Sequence, residues 1–156
     1  MDPQLISCTS STHFNWAKKL TQDYMAWLGE DLFYQGIEKE FEIFHQMYHH
    51  PTGCFIIALM DGKVAGGVGT RFLENGICEM KRLFVYDEFR GHQLGKILCH
   101  QLLKISKGLG YQRMRLDTIP KLNNAMHIYQ ELGFYEIPKY YDNPDETVIY
   151  FELKLL

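Results

Sequence analysis

Apolar and polar positions recur along this chain in two rhythms, a period of two and a period near 3.6. The rhythms predict its elements in order. A short alternating stretch at residues 4–8 predicts a strand. Ser11 or Thr12 then caps a helix whose apolar face is Ala17, Leu20, Tyr24, Trp27 and Leu28. A second helix is predicted from residue 37 to about 48. Apolar runs at 54–60 and 63–72 flank Asp61-Gly62, a strong hairpin signal, and Asn75-Gly76 turns the chain into a third strand at 77–85.

The helical rhythm returns at Leu94. Leu94, Ile97, Leu98, Leu102 and Ile105 fall on one face, with Lys96, His100, Lys104 and Lys107 on the other. Gly108 stands where a left-handed C-cap belongs, with two lysines near the negative end of the helix dipole. A strand at 114–117 follows. Pro120 then opens a helix carrying Leu122, Ala125, Met126, Tyr129 and Leu132 on one face, and Gly133 ends it. Strands at 134–137 and 147–153 complete a mixed, mostly antiparallel sheet with helices on both faces, an α+β class. The step from 77–85 through a helix to 114–117 requires a parallel, right-handed crossover. No linker, repeat or low-complexity stretch divides residues 1–156, so one domain is expected.

Composition narrows the partners. An apolar fraction of 46% with 22% charged residues fits a globular chain with a sizeable core. A net charge of −3, with no block of like charges, makes nucleic acid and anionic membranes poor partners. The longest apolar runs, such as 55–60, are too short to span a bilayer, and the N-terminus lacks a signal-peptide pattern. Cytoplasmic residence is therefore expected. Cys8, Cys54, Cys78 and Cys99 form no C-x-x-C pair and read as small buried hydrophobes. His45, His49 and His50 lack any metal-binding pattern, so no metal is expected.

The chemistry concentrates between Glu79 and Gly95, which read E-M-K-R-L-F-V-Y-D-E-F-R-G-H-Q-L-G. A strand runs into an acidic turn, then Arg90-Gly91, then a helix. The first turn of a helix leaves N–H groups without internal partners, and the dipole adds positive character there. Gly91 and Gly95 allow close approach of a ligand to that backbone. The segment thus predicts a site for a phosphate-bearing ligand. There is no G-x-x-x-x-G-K-[ST] and no G-x-G-x-x-G, which excludes a P-loop and a dinucleotide fingerprint.

Two segments together resemble the GNAT superfamily of acetyl-CoA-dependent N-acetyltransferases. One is Arg90-Gly91-His92-Gln93-Leu94-Gly95, in place of that family's R-G-x-G-x-G run. The other is residues 124–134, N-A-M-H-I-Y-Q-E-L-G-F, similar to its N-x-x-A-x-x-x-Y-x-x-x-G-F ending. Gln93 stands where glycine is usual, Glu88 where Gln or Arg is usual, and Leu122 in an asparagine slot.

The resemblance implies direct attack of an acceptor amine on the thioester of acetyl-CoA. It maps the pyrophosphate onto backbone amides around residues 90–96, with Arg90, His92 and Lys96 adding donors and Gln93, Leu94 and Gly95 the turn itself. It maps the pantetheine arm along Leu83, Phe84 and Val85, pairing like an added strand, and toward Asn124. Tyr129, with an ordinary pKa of about 10, becomes the general acid for the departing thiolate, against the plainer reading of a core aromatic. Lys96 is either a phosphate ligand or a solvated helix lysine.

Glu79 is the candidate base that strips the acceptor ammonium, against an ion pair with Lys81 or Arg82; a water chain is a further route. A period of two puts Glu79, Lys81, Leu83 and Val85 on one face. The implied acceptor wall comprises Tyr24, Phe33, Tyr34, Tyr140, Tyr141 and Asp142, and takes a small-molecule or peptide amine. The resemblance also admits a homodimer. Two alternatives remain, since fold does not set function: a non-catalytic acyl-CoA sensor, for which Tyr129 has no use, and a transferase of longer acyl groups or to an O-acceptor.

Overall fold

The structure, a computed structural model, describes residues 2–29 and 37–156. Strand β1 (Gln4–Ser7) and helix α1 (Ser11–Leu28) come first, then short helices α2 (Ile37–Glu42) and α3 (Phe44–Met47). Strands β2 (Cys54–Met60), β3 (Lys63–Glu74) and β4 (Ile77–Val85) lead into helix α4 (Leu94–Gly108). Strand β5 (Arg113–Thr118), helix α5 (Asn123–Glu131), β6 (Tyr135–Ile137) and β7 (Ile149–Lys154) complete the chain. Among the described residues no helix is long and apolar enough to cross a membrane.

The seven strands form one sheet in the order β1-β2-β3-β4-β5-β7-β6. Among the described residues only the β4–β5 pair is parallel. This is the mixed, mostly antiparallel α+β sheet expected from the element order, with the parallel crossover made by α4. Helix α4 presses Leu94, Leu98 and Leu102 onto Ile56, Val68, Met80 and Met114 of one sheet face. On the other face Phe14, Ala17 and Leu20 of α1 meet Phe44, Tyr48, Phe55 and Ile57. β2 feeds both cores in alternation, so its seven residues read as a nearly unbroken apolar run.

Several local expectations change. Ser10, not Ser11 or Thr12, caps α1: its Oγ accepts the His13 N–H at 3.1 Å, and the His13 ring accepts back from the Ser10 N–H. The helix predicted at 37–48 is two, broken at Ile43. Pro120 opens a 3-10 turn to Leu122, and the α-helix proper starts at Asn123. Gly108 is the last helical residue, and the left-handed glycine after α4 is Gly110 at φ +96°.

The change that matters most lies in β4. Its pairing with β3 runs from Gly69↔Lys81 to Gly67↔Phe84, so β4 carries one extra residue, and Arg82 sits there at φ +64°. The bulge reverses the alternation. Leu83 and Val85 pack toward α4 and Phe84 toward α1. Glu79 and Lys81 therefore do not share a face with Leu83 and Val85, because a period of two holds only while the ladder is unbroken. Just before the bulge β4 also leaves its other neighbour, since the parallel pairing with β5 ends at Glu79↔Arg115.

Candidate active site

The parting of β4 from β5 opens a cavity of about 600 Å³. One end is backbone. Gly91 at φ +88° and Gln93 at φ +58° bend the chain sharply before α4. Gly91 has open space around an added Cβ, so its backbone angle, not crowding, favours glycine. The first intrahelical bond runs from the Ile97 N–H to the Gln93 carbonyl at 3.0 Å, and among the described residues no amide of residues 91–96 donates to a backbone carbonyl. Those amides are a ready anion cradle.

The cations near that cradle are engaged elsewhere. Arg90 Nε donates to the Val85 carbonyl at 3.1 Å, its Nη1 lies 2.8 Å from Asp87, and the guanidinium covers Trp27. Lys96 pairs with Glu131 of α5 at 2.9 Å. Of the residues expected at the cofactor, Arg90, Gly91, Gln93, Leu94, Gly95 and Lys96 line the cavity, and so do Leu83, Phe84, Val85, Asn124 and Tyr129. His92 does not; it is exposed beside the cradle.

Tyr129 is buried at 6% exposure, in edge contact with Phe134. Its hydroxyl has no hydrogen-bond partner among the described residues. Burial pushes its pKa well above the ordinary tyrosine value, with the neighbouring Cys99 adding to the rise. It keeps its proton at neutral pH.

The other end of the cavity is made of charged side chains on the α1 face. Glu79 does not line it. Arg71 holds the Glu79 carboxylate at 2.7 Å, Lys81 lies 3.8 Å away, and the Tyr140 hydroxyl donates to it at 2.6 Å. Burial alone would raise the Glu79 pKa, but Lys81 and Arg71 outweigh it and hold the carboxyl below its usual range. Arg82 likewise grips the buried Glu40 of α2 through two bonds, at 2.9 and 3.1 Å.

Across the gap stands Asp117 of β5, which lines the cavity. Burial raises its pKa, partly offset by Lys81, and the Tyr141 hydroxyl donates to it. Sequence reasoning passed over Asp117 and named Lys81 only as an ion-pair partner of Glu79 on its strand. Two residues beyond the Glu79↔Arg115 pair, both strands turn the same face to α1, which brings these two side chains to opposite edges of the gap. Only the register could have found them.

The expected acceptor wall is divided. Tyr24 lines the cavity, together with Trp27 and Phe84. Tyr140 and Tyr141 lie outside it and grip the two carboxylates, packing with Tyr150 at centroid distances of 5.2–5.4 Å. Asp142 is fully exposed. Phe33 and Tyr34 lie outside the described residues.

Comparison with known proteins agrees with this geometry. Residues 21–134 match the acetyltransferase (GNAT) family. An uncharacterised N-acetyltransferase of Schizosaccharomyces pombe is 36% identical over 140 residues, 88% of this chain and 86% of its own. Among solved structures, a GNAT-family acetyltransferase of Staphylococcus aureus superposes with a TM-score of 0.81 at 20% identity, covering 99% of this chain and 100% of that one. The PaiA N-acetyltransferase of Thermoplasma acidophilum, solved in complex with coenzyme A, gives 0.71 at 17% identity and 99% coverage of both chains.

Proposed function

The chain belongs to the acetyltransferase (GNAT) family, and from that premise we propose that it transfers an acetyl group from acetyl-CoA to a primary amine. The observation that carries this reading is the junction, in one cavity, of an unengaged amide cradle, a bare strand edge and an unpartnered tyrosine hydroxyl. The structural relative bound to coenzyme A supports the choice of donor. The thioester supplies the acyl group and a thiolate to be released.

In this reading the amides of residues 91–96 hold the pyrophosphate, and Leu83, Phe84 and Val85 hold the pantetheine arm as an added strand, with Asn124 beside it. The cradle works through N–H groups, so Gln93 in a glycine slot is compatible with it. Tyr129 keeps a proton at its hydroxyl for the departing sulfur.

An acceptor ammonium must lose a proton before its nitrogen can attack. Glu79 is a poor direct base, because its oxygens are taken by Arg71 and Tyr140 and it has no share of the cavity wall. Asp117 faces the cavity, and burial makes it more basic than an ordinary aspartate. We therefore assign proton removal to Asp117, with Glu79 holding Lys81 in place behind it.

The test is thiol release from acetyl-CoA against a broad panel of amines, alongside CoA-dependent thermal stabilisation. Stabilisation with release for at least one primary amine supports the reading. Stabilisation without release across the panel would sink the enzyme and leave an acyl-CoA sensor.

A further inference from the structure

Three cations and three carboxylates surround the gap between β4 and β5 on the α1 face, and two pairs among them are closed. Arg71 binds Glu79 through Nε at 2.9 Å and Nη2 at 2.7 Å. Arg82 binds Glu40 through Nε and Nη2. The Arg82 fork takes both oxygens of Glu40, while Arg71 takes one oxygen of Glu79 and the Tyr140 hydroxyl the other, so both carboxylates are satisfied. Lys81 and Asp117 are left, and both line the cavity.

The Lys81 side chain is only 14% exposed, yet its ammonium makes no hydrogen bond among the described residues. Its nearest carboxylate oxygens are on Glu79 at 3.8 Å and Glu40 at 4.0 Å, and both are already hydrogen-bonded to arginine. A largely buried ammonium with three unused donors is costly unless a ligand supplies acceptors. Asp117 is not within ion-pair distance of Lys81, so the two do not satisfy each other. Lys81 and Asp117 thus face one space, the ammonium without a hydrogen-bond partner among the described residues and the carboxylate bonded to the Tyr141 hydroxyl from outside the cavity.

Charge decides what fills that space. The six groups sum to zero with Asp117 ionised. A plain ammonium would bring one uncompensated charge into a poorly hydrated site, whereas a zwitterion brings none. Resting on the acyl-transfer reading above, we infer that the acceptor is an α-amino acid, its carboxylate held by Lys81 and its ammonium by Asp117. The neighbouring wall of Tyr24, Trp27 and Phe84, with ring centroids 5.3–6.4 Å apart, takes an apolar side chain.

Matched probes test this: L-methionine against 3-(methylthio)propylamine, and L-phenylalanine against phenethylamine. In thiol release the amino acids exceed their decarboxylated partners by about 10²-fold or more in kcat/KM, as for a site that leaves a buried polar group unpaired with the wrong substrate. Lys81→Met keeps the side-chain volume and removes the charge. It collapses that ratio to about tenfold or less, mainly by raising KM for the amino acid. Wild-type preference for the decarboxylated amines overturns the inference. So does a Lys81→Met variant that slows both members of a pair equally, since Lys81 would then serve the thioester.

A calorimetric titration of L-methionine, with and without CoA, reads the subsite apart from turnover. Binding to wild type that disappears in Lys81→Met supports it, even if no thiol is released. Absence of binding at millimolar L-methionine overturns it. Failure of CoA itself to bind brings down the acyl-transfer reading instead, and the titration without CoA still decides the subsite.

Discussion

At residues 91–96 the cavity wall is backbone, while between β4 and β5 it is a lattice of buried charged side chains. The first end presents N–H groups left over by a helix start, and its nearby arginine and lysine are half-exposed and paired outward. The second holds Glu79 and Glu40 at 3–4% exposure and depends on arginines to keep them buried. An amide cradle tolerates changes of side chain because its donors belong to every residue. A charge lattice does not, because each member is the solvation of another. In the proposed reading, one end can hold the same donor group through many sequences, while the other sets the acceptor by its particular residues.

The sharpest way to break this contrast is to remove one arginine at each end. Arg82→Met strands the Glu40 carboxylate, and losing one partner of a buried pair costs about 3–5 kcal/mol. Arg90→Met removes an exposed pair with Asp87 and is expected to cost about 1 kcal/mol or less. Urea unfolding of the two variants measures both. Equal losses would show that the two ends are held alike.

Tyr129→Phe comes next. Turnover falls by about 10²-fold or more if the hydroxyl protonates the thiolate, with CoA affinity and Tm nearly unchanged because none of the described residues bonds that hydroxyl. Unchanged turnover would return Tyr129 to the role of a core aromatic.

The two carboxylates of the charged end then separate by the sign of their pH dependence. Asp117 is raised above its ordinary 3.8, so the stability linked to its protonated form is complete below that value and is lost as pH rises through the folded pKa. Asp117→Asn therefore raises Tm at neutral pH, by roughly 2–4 °C if the gain is about 1 kcal/mol. Its turnover drops about tenfold or more, with partial recovery at high pH where the free amine is abundant. Glu79 is lowered from 4.5, so its contribution is present above that value and is lost as pH falls through the folded pKa. Glu79→Gln lowers Tm at neutral pH, the deficit closes in acid, and its rate profile is scaled down without rescue at high pH. A rescued Glu79→Gln profile would hand proton removal back to Glu79. Melting and pH–rate series on both variants decide it.

The smallest effect is expected at Gln93. Gln93→Gly changes CoA affinity by about 1 kcal/mol or less, since the amide remains. Relief of the left-handed φ of +58° offsets the greater chain entropy of glycine, so Tm holds as well. A larger loss of affinity would mean that the glutamine side chain itself touches the cofactor.

How much of this was legible beforehand follows the same division. The alternating runs, the Asp61-Gly62 and Asn75-Gly76 turns and the face of α4 determined the element order and, with the crossover rule, the mixed sheet. Residues 90–95 and 124–134 determined the cradle and drew attention to Tyr129, because those features depend on neighbours in the chain. Tertiary structure decided the rest. The extra residue at Arg82 reverses the facing of Leu83 and Val85, and a bulge is a property of pairing with β3 that no local period records. The aromatic run at 140–141 reads like an acceptor wall, yet its hydroxyls close on Glu79 and Asp117 from outside the cavity. Lys81 and Asp117 are 36 positions apart in the chain and meet only because two parallel strands separate after Glu79↔Arg115. The sequence determined the amide cradle before α4, because that feature is local backbone. The charged groups at the other end, and hence the acceptor proposed for them, were decided by register and burial, because the energy of a charge depends on what surrounds it in space.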